Sequence, residues 1–196
     1  MLYRPRHDVS VMEVRLPINP VPLVASNAPA GDSVRRILVS GCLNGPLIRY
    51  NQTNVEVVSP IWDRWVGEGR LVPFCAEIAS GFPIPRPPAE IRGGDGANVR
   101  SGTGTVFEDT GADVTERFLT GAHMAVAKAV KNGCVAAVLT DGSPSCGSTY
   151  TYDGSFTGGT INGTGVVAQL LVDNGIRVFA ETQLEQADQF LRGEST

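Results

Sequence analysis

From Arg35 onward, short apolar runs that end in turns alternate with amphipathic segments of helical period, and few folds accept that alternation. The runs at 37–40, 71–74, 135–139 and 176–180 read as strands. The segments at 61–68, from 113 to the stop signal Asn132-Gly133, at 165–174 and at 184–191 read as helices. Ser59-Pro60 opens the first helix, where proline suits the first turn. Phe118, Ala122, Ala125, Val126, Ala129 and Val130 keep a helical period along the longest one. Strands alternating with helices imply βαβ units, a parallel sheet and right-handed crossovers. The expected fold is a single Rossmann-like, three-layer α/β domain with a mainly parallel sheet over residues 34–196. Residues 1–33, broken by Pro5, Pro17, Pro20, Pro22 and Pro29, carry no sustained period and read as an extended or disordered N-terminal arm. The stretch from 76 to about 113 reads as a long irregular loop with a short strand or hairpin within 99–108. The Gly-, Ser- and Thr-rich stretch 143–165 reads as a second loop.

Three of the four cysteines fall just beyond expected strand ends. Cys42 closes Val-Ser-Gly-Cys, Cys75 closes Leu-Val-Pro-Phe-Cys, and Cys146 lies in the turn Ser143-Pro144-Ser145-Cys146-Gly147. In an open parallel sheet, ligands bind in the crevice outside the carboxyl ends of the strands, so three thiols distant in sequence can meet there. Cys134 instead starts the apolar run Cys-Val-Ala-Ala-Val at the opposite end of its strand and is assigned to the core, the ordinary place for a lone cysteine. Thiolates suit zinc, copper(I) or iron–sulfur clusters. A structural zinc site takes four protein ligands, and the two histidines fit poorly: His7 is in the arm and His123 is in mid-helix. Close Cys-x-x-Cys pairs are absent as well. A [4Fe–4S] cluster on three cysteines, with one open iron, fits better.

Composition narrows the function. With 42% hydrophobic and 18% charged residues in 196, the chain can bury a proper core. A net charge of -4 leaves no basic footprint for nucleic acid. No apolar run approaches the roughly 20 residues of a membrane span, and no signal peptide is visible. The expectation is a cytoplasmic protein, monomer or homodimer, with a small-molecule substrate and no nucleic-acid or membrane partner. Thiols stay reduced in that compartment, which favours metal or catalysis over disulfides.

Four strings, in order, carry a resemblance: Val-Ser-Gly-Cys-Leu-Asn-Gly-Pro-Leu-Ile-Arg-Tyr (39–50), Cys-Ala-Glu followed by Gly-Phe-Pro-Ile-Pro-Arg-Pro-Pro-Ala-Glu-Ile (75–91), Gly-Ala-Asp-Val-Thr (111–115) and Ser-Pro-Ser-Cys-Gly-Ser (143–148). From about Ile37 to about Glu181 the chain resembles the thiouracil desulfurase family. The resemblance implies a single α/β domain, a [4Fe–4S] cluster on Cys42, Cys75 and Cys146, and non-redox desulfuration of a thiolated pyrimidine such as 2-thiouracil. In that reaction the open iron takes the substrate sulfur and water supplies the oxygen. It also implies proton-transfer or substrate-positioning roles for Glu77 and Ser143. The chain departs from the family pattern at Ala76, at Ser80-Gly81 and at Thr140-Asp141-Gly142.

The neighbouring residues have plainer readings beside these. Glu77 alone reads as a solvated loop carboxylate, and Ser143 as the cap of a Ser-Pro turn. Ser145 is a second candidate donor. Arg86 and Glu90 are expected to pair across the Pro-rich loop, Arg86 otherwise holding an anionic or carbonyl group. Gly163-Thr164-Gly165 before a helix is a weak anion site. Tyr50, Tyr150 and Tyr152 are candidates to stack on a base. Two other functions compete: an iron–sulfur redox or iron sensor without turnover, and a cluster-free thiol hydrolase with Cys146 as nucleophile and His123 as its one available activating histidine.

Overall fold

A computed structural model describes residues 34–194. In chain order the elements are β1 (Arg36–Ser40), α1 (Pro60–Gly67), β2 (Leu71–Phe74), α2 (Ala76–Ala79), β3 (Ala89–Arg92), α3 (Gly96–Ser101), β4 (Thr105–Glu108), α4 (Thr115–Lys131), β5 (Cys134–Leu139), β6 (Tyr150–Tyr152), β7 (Thr160–Asn162), α5 (Val166–Asp173), β8 (Arg177–Ala180) and α6 (Leu184–Arg192). Four strands form one sheet in the order β2-β1-β5-β8, and every neighbouring pair in it is parallel. No helix among the described residues is long and apolar enough to cross a membrane.

Both faces of this sheet are covered, as side-chain alternation in the strands dictates. Ile37, Val39, Ala136 and Val138 face one layer with Trp62 and Trp65 of α1 and Leu184, Ala187 and Leu191 of α6. Leu38, Ala137 and Leu139 face the other, with the Phe118-Ala122-Ala125-Ala129 stripe of α4 and Val167, Leu170 and Leu171 of α5. The expected three-layer α/β architecture is therefore the observed one.

Strand order fixes the place of the cleft. The crossover from β1 through α1 reaches β2 on one side, whereas the chain returns to β5 and β8 on the other side of β1. The crevice at a reversal of this kind, outside the strands' carboxyl ends, is the site the topology offers to a ligand.

Two stretches expected to be loops hold structure of their own. Within 76–113 lie α2, the antiparallel hairpin β3–β4 and the short helix α3. Val99 is therefore helical, and the hairpin starts at Ala89. Asp95 caps α3: its carboxylate accepts from Ala97 N–H at 3.0 Å, while Asn98 Oδ1 accepts from Asp95 N–H at 3.1 Å. Within 143–165, β6 and β7 form a second antiparallel hairpin. The arm expected over 1–33 lies outside the described residues.

Candidate active site

The end of β1 runs straight into a 3₁₀ turn, Gly41–Asn44, that carries Cys42. Gly41 is required there by space: a Cβ would come within 2.8 Å of Ile48 Cδ1 and 3.4 Å of Cys75 Cβ. The ends of β1 and β2 thus approach closely, and Cys75, the N-cap of α2, lies beside that turn. On the far side of α2, Gly121 of α4 has Ala76 O so near that a Cβ would sit 2.6 Å away. Small residues at this crossing press α2 toward the sheet and set the position of Cys75.

Cys146 is held by its turn. Ser143 Oγ accepts from Ser145 N–H at 3.1 Å and from Cys146 N–H at 3.2 Å. Gly147 N–H donates to Ser143 O at 2.8 Å. At the head of α5, Val166 N–H donates to Pro144 O at 2.9 Å and Val167 N–H to Ser145 O at 2.8 Å. These amides, with Thr164 N–H on Asp95 Oδ2 at 3.1 Å, are the donors that an anion would need. The anion site read at Gly163-Thr164-Gly165 is corrected accordingly: the helix start binds the cysteine turn instead. Asp141 closes the other side, accepting from Ser148 N–H at 2.6 Å and Thr149 N–H at 2.9 Å.

Cys42, Cys75 and Cys146 all line one cleft of about 220 Å³. Glu77, Ser143, Arg49, Thr140, Tyr50 and Tyr152 share its walls. Cys134, 7% exposed, lies at the amino end of β5, five residues and so roughly 17 Å of strand from the cleft end. Its core assignment stands, with burial pushing its thiol up to about 11.

Among the described residues no three His, Cys, Asp or Glu side chains gather as ligands of one metal ion. The three cysteines instead line the walls of one cleft. All are free, and their chemistry suits thiophilic iron, copper or zinc. Three soft donors spaced around a cavity fit a polynuclear centre such as an iron–sulfur cluster, which meets its cysteines at its corners.

Electrostatics oppose an alternative use of these thiols. Burial pushes the Cys42 thiol up, with the Thr140 hydroxyl (Sγ to Oγ1, 3.2 Å) and then the Arg49 charge opposing it. Burial likewise pushes Cys75 up, against a hydrogen bond from the Ile78 backbone, and it raises Cys146 the most. A nucleophilic cysteine needs a depressed pKa. His123 is exposed on α4, and among the described residues no histidine lines the cleft, so the thiol hydrolase finds no activating base there.

Arg86 does not pair with Glu90. Its Nε and Nη2 both lie 2.6 Å from Glu77 Oε2, and its Nη1 donates to Ile48 O at 3.2 Å and Pro83 O at 3.3 Å. Arg86 precedes Pro87 and Glu90 lies in β3, so no helical turn brings the two side chains together. Glu90 Oε2 instead accepts from Gly154 N–H and Phe156 N–H, each at 3.0 Å. Of the tyrosines, Tyr50 and Tyr152 line the cleft, while Tyr150 packs its hydroxyl over Gly142. Arg49, Ser40 and Thr140 escape the sequence reading, although Ser40 and Thr140 directly end or follow β1 and β5, the positions that flank a switch point.

Fold and cleft together define an α/β protein that delivers three unpaired thiols to the reversal point of its sheet. The 2-thiouracil desulfurase family model matches residues 37–183, and the chain belongs to that family. The motif resemblance is thereby borne out, and membership makes the chain an enzyme of the desulfidase type. Among relatives, the "Uncharacterized protein YbbK" of Bacillus subtilis (strain 168) is 43% identical over 148 residues, 76% of this chain and 97% of that protein. A solved structure, the [4Fe-4S]-dependent thiouracil desulfidase TudS, is 40% identical with a TM-score of 0.73, covering 81% of this chain and 98% of that one.

Proposed function

We propose that this chain is a [4Fe–4S]-dependent desulfidase that converts a thiocarbonyl pyrimidine such as 2-thiouracil into its oxo form. The reaction balances without redox change: the C=S compound and water give the C=O compound and hydrogen sulfide. The observation that carries this reading is the convergence of Cys42, Cys75 and Cys146 on one cleft that, among the described residues, no fourth cysteine and no histidine lines. These three thiolates would hold the cluster. When bound, it supplies a thiophilic Lewis acid with one iron free of protein ligands.

The chain's own groups supply the rest. Arg86, 4% exposed in its side chain, fixes Glu77 through Oε2 and leaves Oε1 to accept a proton from water in the cleft. Ser143 Oγ accepts two backbone N–H groups, so its own O–H is left to donate toward the cleft it lines. Arg49 places a positive charge near Cys42, favouring its thiolate. Tyr50 and Tyr152 give the mouth two aromatic faces for a flat ring.

The test is anaerobic turnover of 2-thiouracil by iron-loaded protein, following loss of thiocarbonyl absorbance and release of sulfide. One sulfide per thiouracil consumed is expected, with kcat lowered roughly 10²- to 10⁴-fold in Glu77→Gln. Iron-loaded protein that releases no sulfide would overturn the reading and point to the sensor.

A further inference from the structure

We infer that Glu90 is a positioning residue that selects substrates carrying a ring N–H beside the thiocarbonyl, that is, cyclic thioamides and thioureides. The inference rests on the desulfidase reading and names the feature of the substrate that the site recognises.

Two acidic residues line the cleft, Glu77 from α2 and Glu90 from β3, and their carboxylates are held in opposite ways. The Arg86 guanidinium neutralises Glu77. Glu90 has no cation within ion-pair distance among the described residues, although it is only 8% exposed. Both backbone donors it receives, Gly154 N–H and Phe156 N–H, fall on Oε2. Oε1 receives no hydrogen bond from the described residues. A carboxylate has about four lone-pair sites, and Oε1 is not a fully buried orphan, since among the described residues only Thr151 Oγ1 is one; it keeps solvent contact, through which a donor can reach it.

The surroundings show that the geometry is imposed. Gly154 lies against β3 so tightly that a Cβ would sit 2.5 Å from Ile91 O. Phe156 is held at φ 57, a left-handed conformation unusual for an aromatic residue, with the Arg92 guanidinium 5.6 Å from its ring centroid. One oxygen of Glu90 clamps this hairpin tip to β3. The other accepts no hydrogen bond from the described residues and belongs to a residue that lines the cleft. Water can occupy it in the absence of ligand, and a ring N–H flanking a C=S group is the donor that a thiolated pyrimidine brings. A thiocarbonyl compound alkylated at that nitrogen brings none.

Glu90→Gln separates the two oxygens' roles. The Gln carbonyl can keep accepting from Gly154 and Phe156, which turns its NH₂ to the position of Oε1 and sets a donor against a donor. The experiment measures binding by titration calorimetry, and KM and kcat where turnover occurs. It uses 2-thiouracil and its N1-methyl and N3-methyl derivatives, with wild type and Glu90→Gln, iron-loaded and iron-free. Wild type is expected to bind at least one methyl derivative about 10-fold or more weakly than 2-thiouracil, the size of a hydrogen bond to a charged group. In Glu90→Gln the dissociation constant and KM for 2-thiouracil rise by a similar factor, kcat changes less, and the discrimination against methylation falls away. A wild type that binds all three equally, or binds none, overturns the inference without needing a folded variant. A Glu90→Gln protein that keeps both affinity and discrimination overturns it as well. Wild type that discriminates by N-methylation but releases no sulfide would leave the recognition standing and sink the desulfidase reading.

Discussion

At the scale of single residues, Asp188 and Arg86 show how buried charge is used for two different ends. Asp188, 5% exposed on α6, accepts from Trp65 Nε1 at 3.0 Å and from the Arg64 guanidinium, with Arg192 Nε 3.4 Å away. Burial alone would raise its carboxyl, but these partners outweigh burial and hold it below the usual carboxylate range. A depressed folded-state pKa stabilises the fold above the unfolded value, near 3.9, and that contribution is lost as pH falls through the folded value. Asp188→Asn should therefore cost about 1–3 kcal/mol at pH 7. Its melting temperature should also fall less steeply than wild type's on acidification below about pH 4, which a pair of thermal melts at pH 7 and pH 3 would check. Arg86 serves the cleft. Arg86→Met leaves Glu77 part-buried without its cation, and a loss of roughly 3 kcal/mol is expected in denaturant melts.

At the scale of elements, the cysteine turn and the head of α5 form one unit. Gly165 has an ordinary φ of -76, yet a Cβ there would stand 2.5 Å from Ser145 O. Gly165→Ala is expected to cost about 1–3 kcal/mol and to lower the iron retained per chain, because the displaced turn carries Cys146. Gly67→Ala, with nothing within 4 Å of its Cβ, should be neutral or stabilising by up to about 1 kcal/mol, and should retain iron in full. The central strands were legible in the sequence because Ile37, Val39, Val135 and Val138 announce themselves by branching and apolar runs. The elements of 76–113 were not, because α2 has four residues and β3–β4 form through each other, with Glu90 opposite Phe107 and Ile91 opposite Val106. One local signal did exist there: Asp95 and Asn98 have the spacing of a capping box. The anion reading at Gly163 failed for a similar reason, since only tertiary structure shows that Asp95 and the cysteine turn already engage those amides.

At the scale of the whole molecule, topology does what no local motif does. Cys42, Cys75 and Cys146 are separated by long stretches of chain, yet each follows a strand that ends at the same edge, and the reversal of strand order between β1 and β5 opens the cleft there. That much of the site was readable from strand ends and cysteine positions. Arg86's true partner was not, because sequence proximity favoured Glu90 while tertiary structure brings Glu77 of α2 to it. These three cysteines, and not Cys134, are proposed to hold the iron–sulfur cluster. The most direct measurement is anaerobic reconstitution with iron and sulfide, followed by iron counting and an absorption spectrum for wild type and the four cysteine-to-alanine variants. About four irons per chain are expected in wild type and in Cys134→Ala, with the brown charge-transfer absorption, and loss of both in Cys42→Ala, Cys75→Ala and Cys146→Ala. Wild-type protein that takes up no iron, or cleft variants that keep as much as wild type, would contradict it.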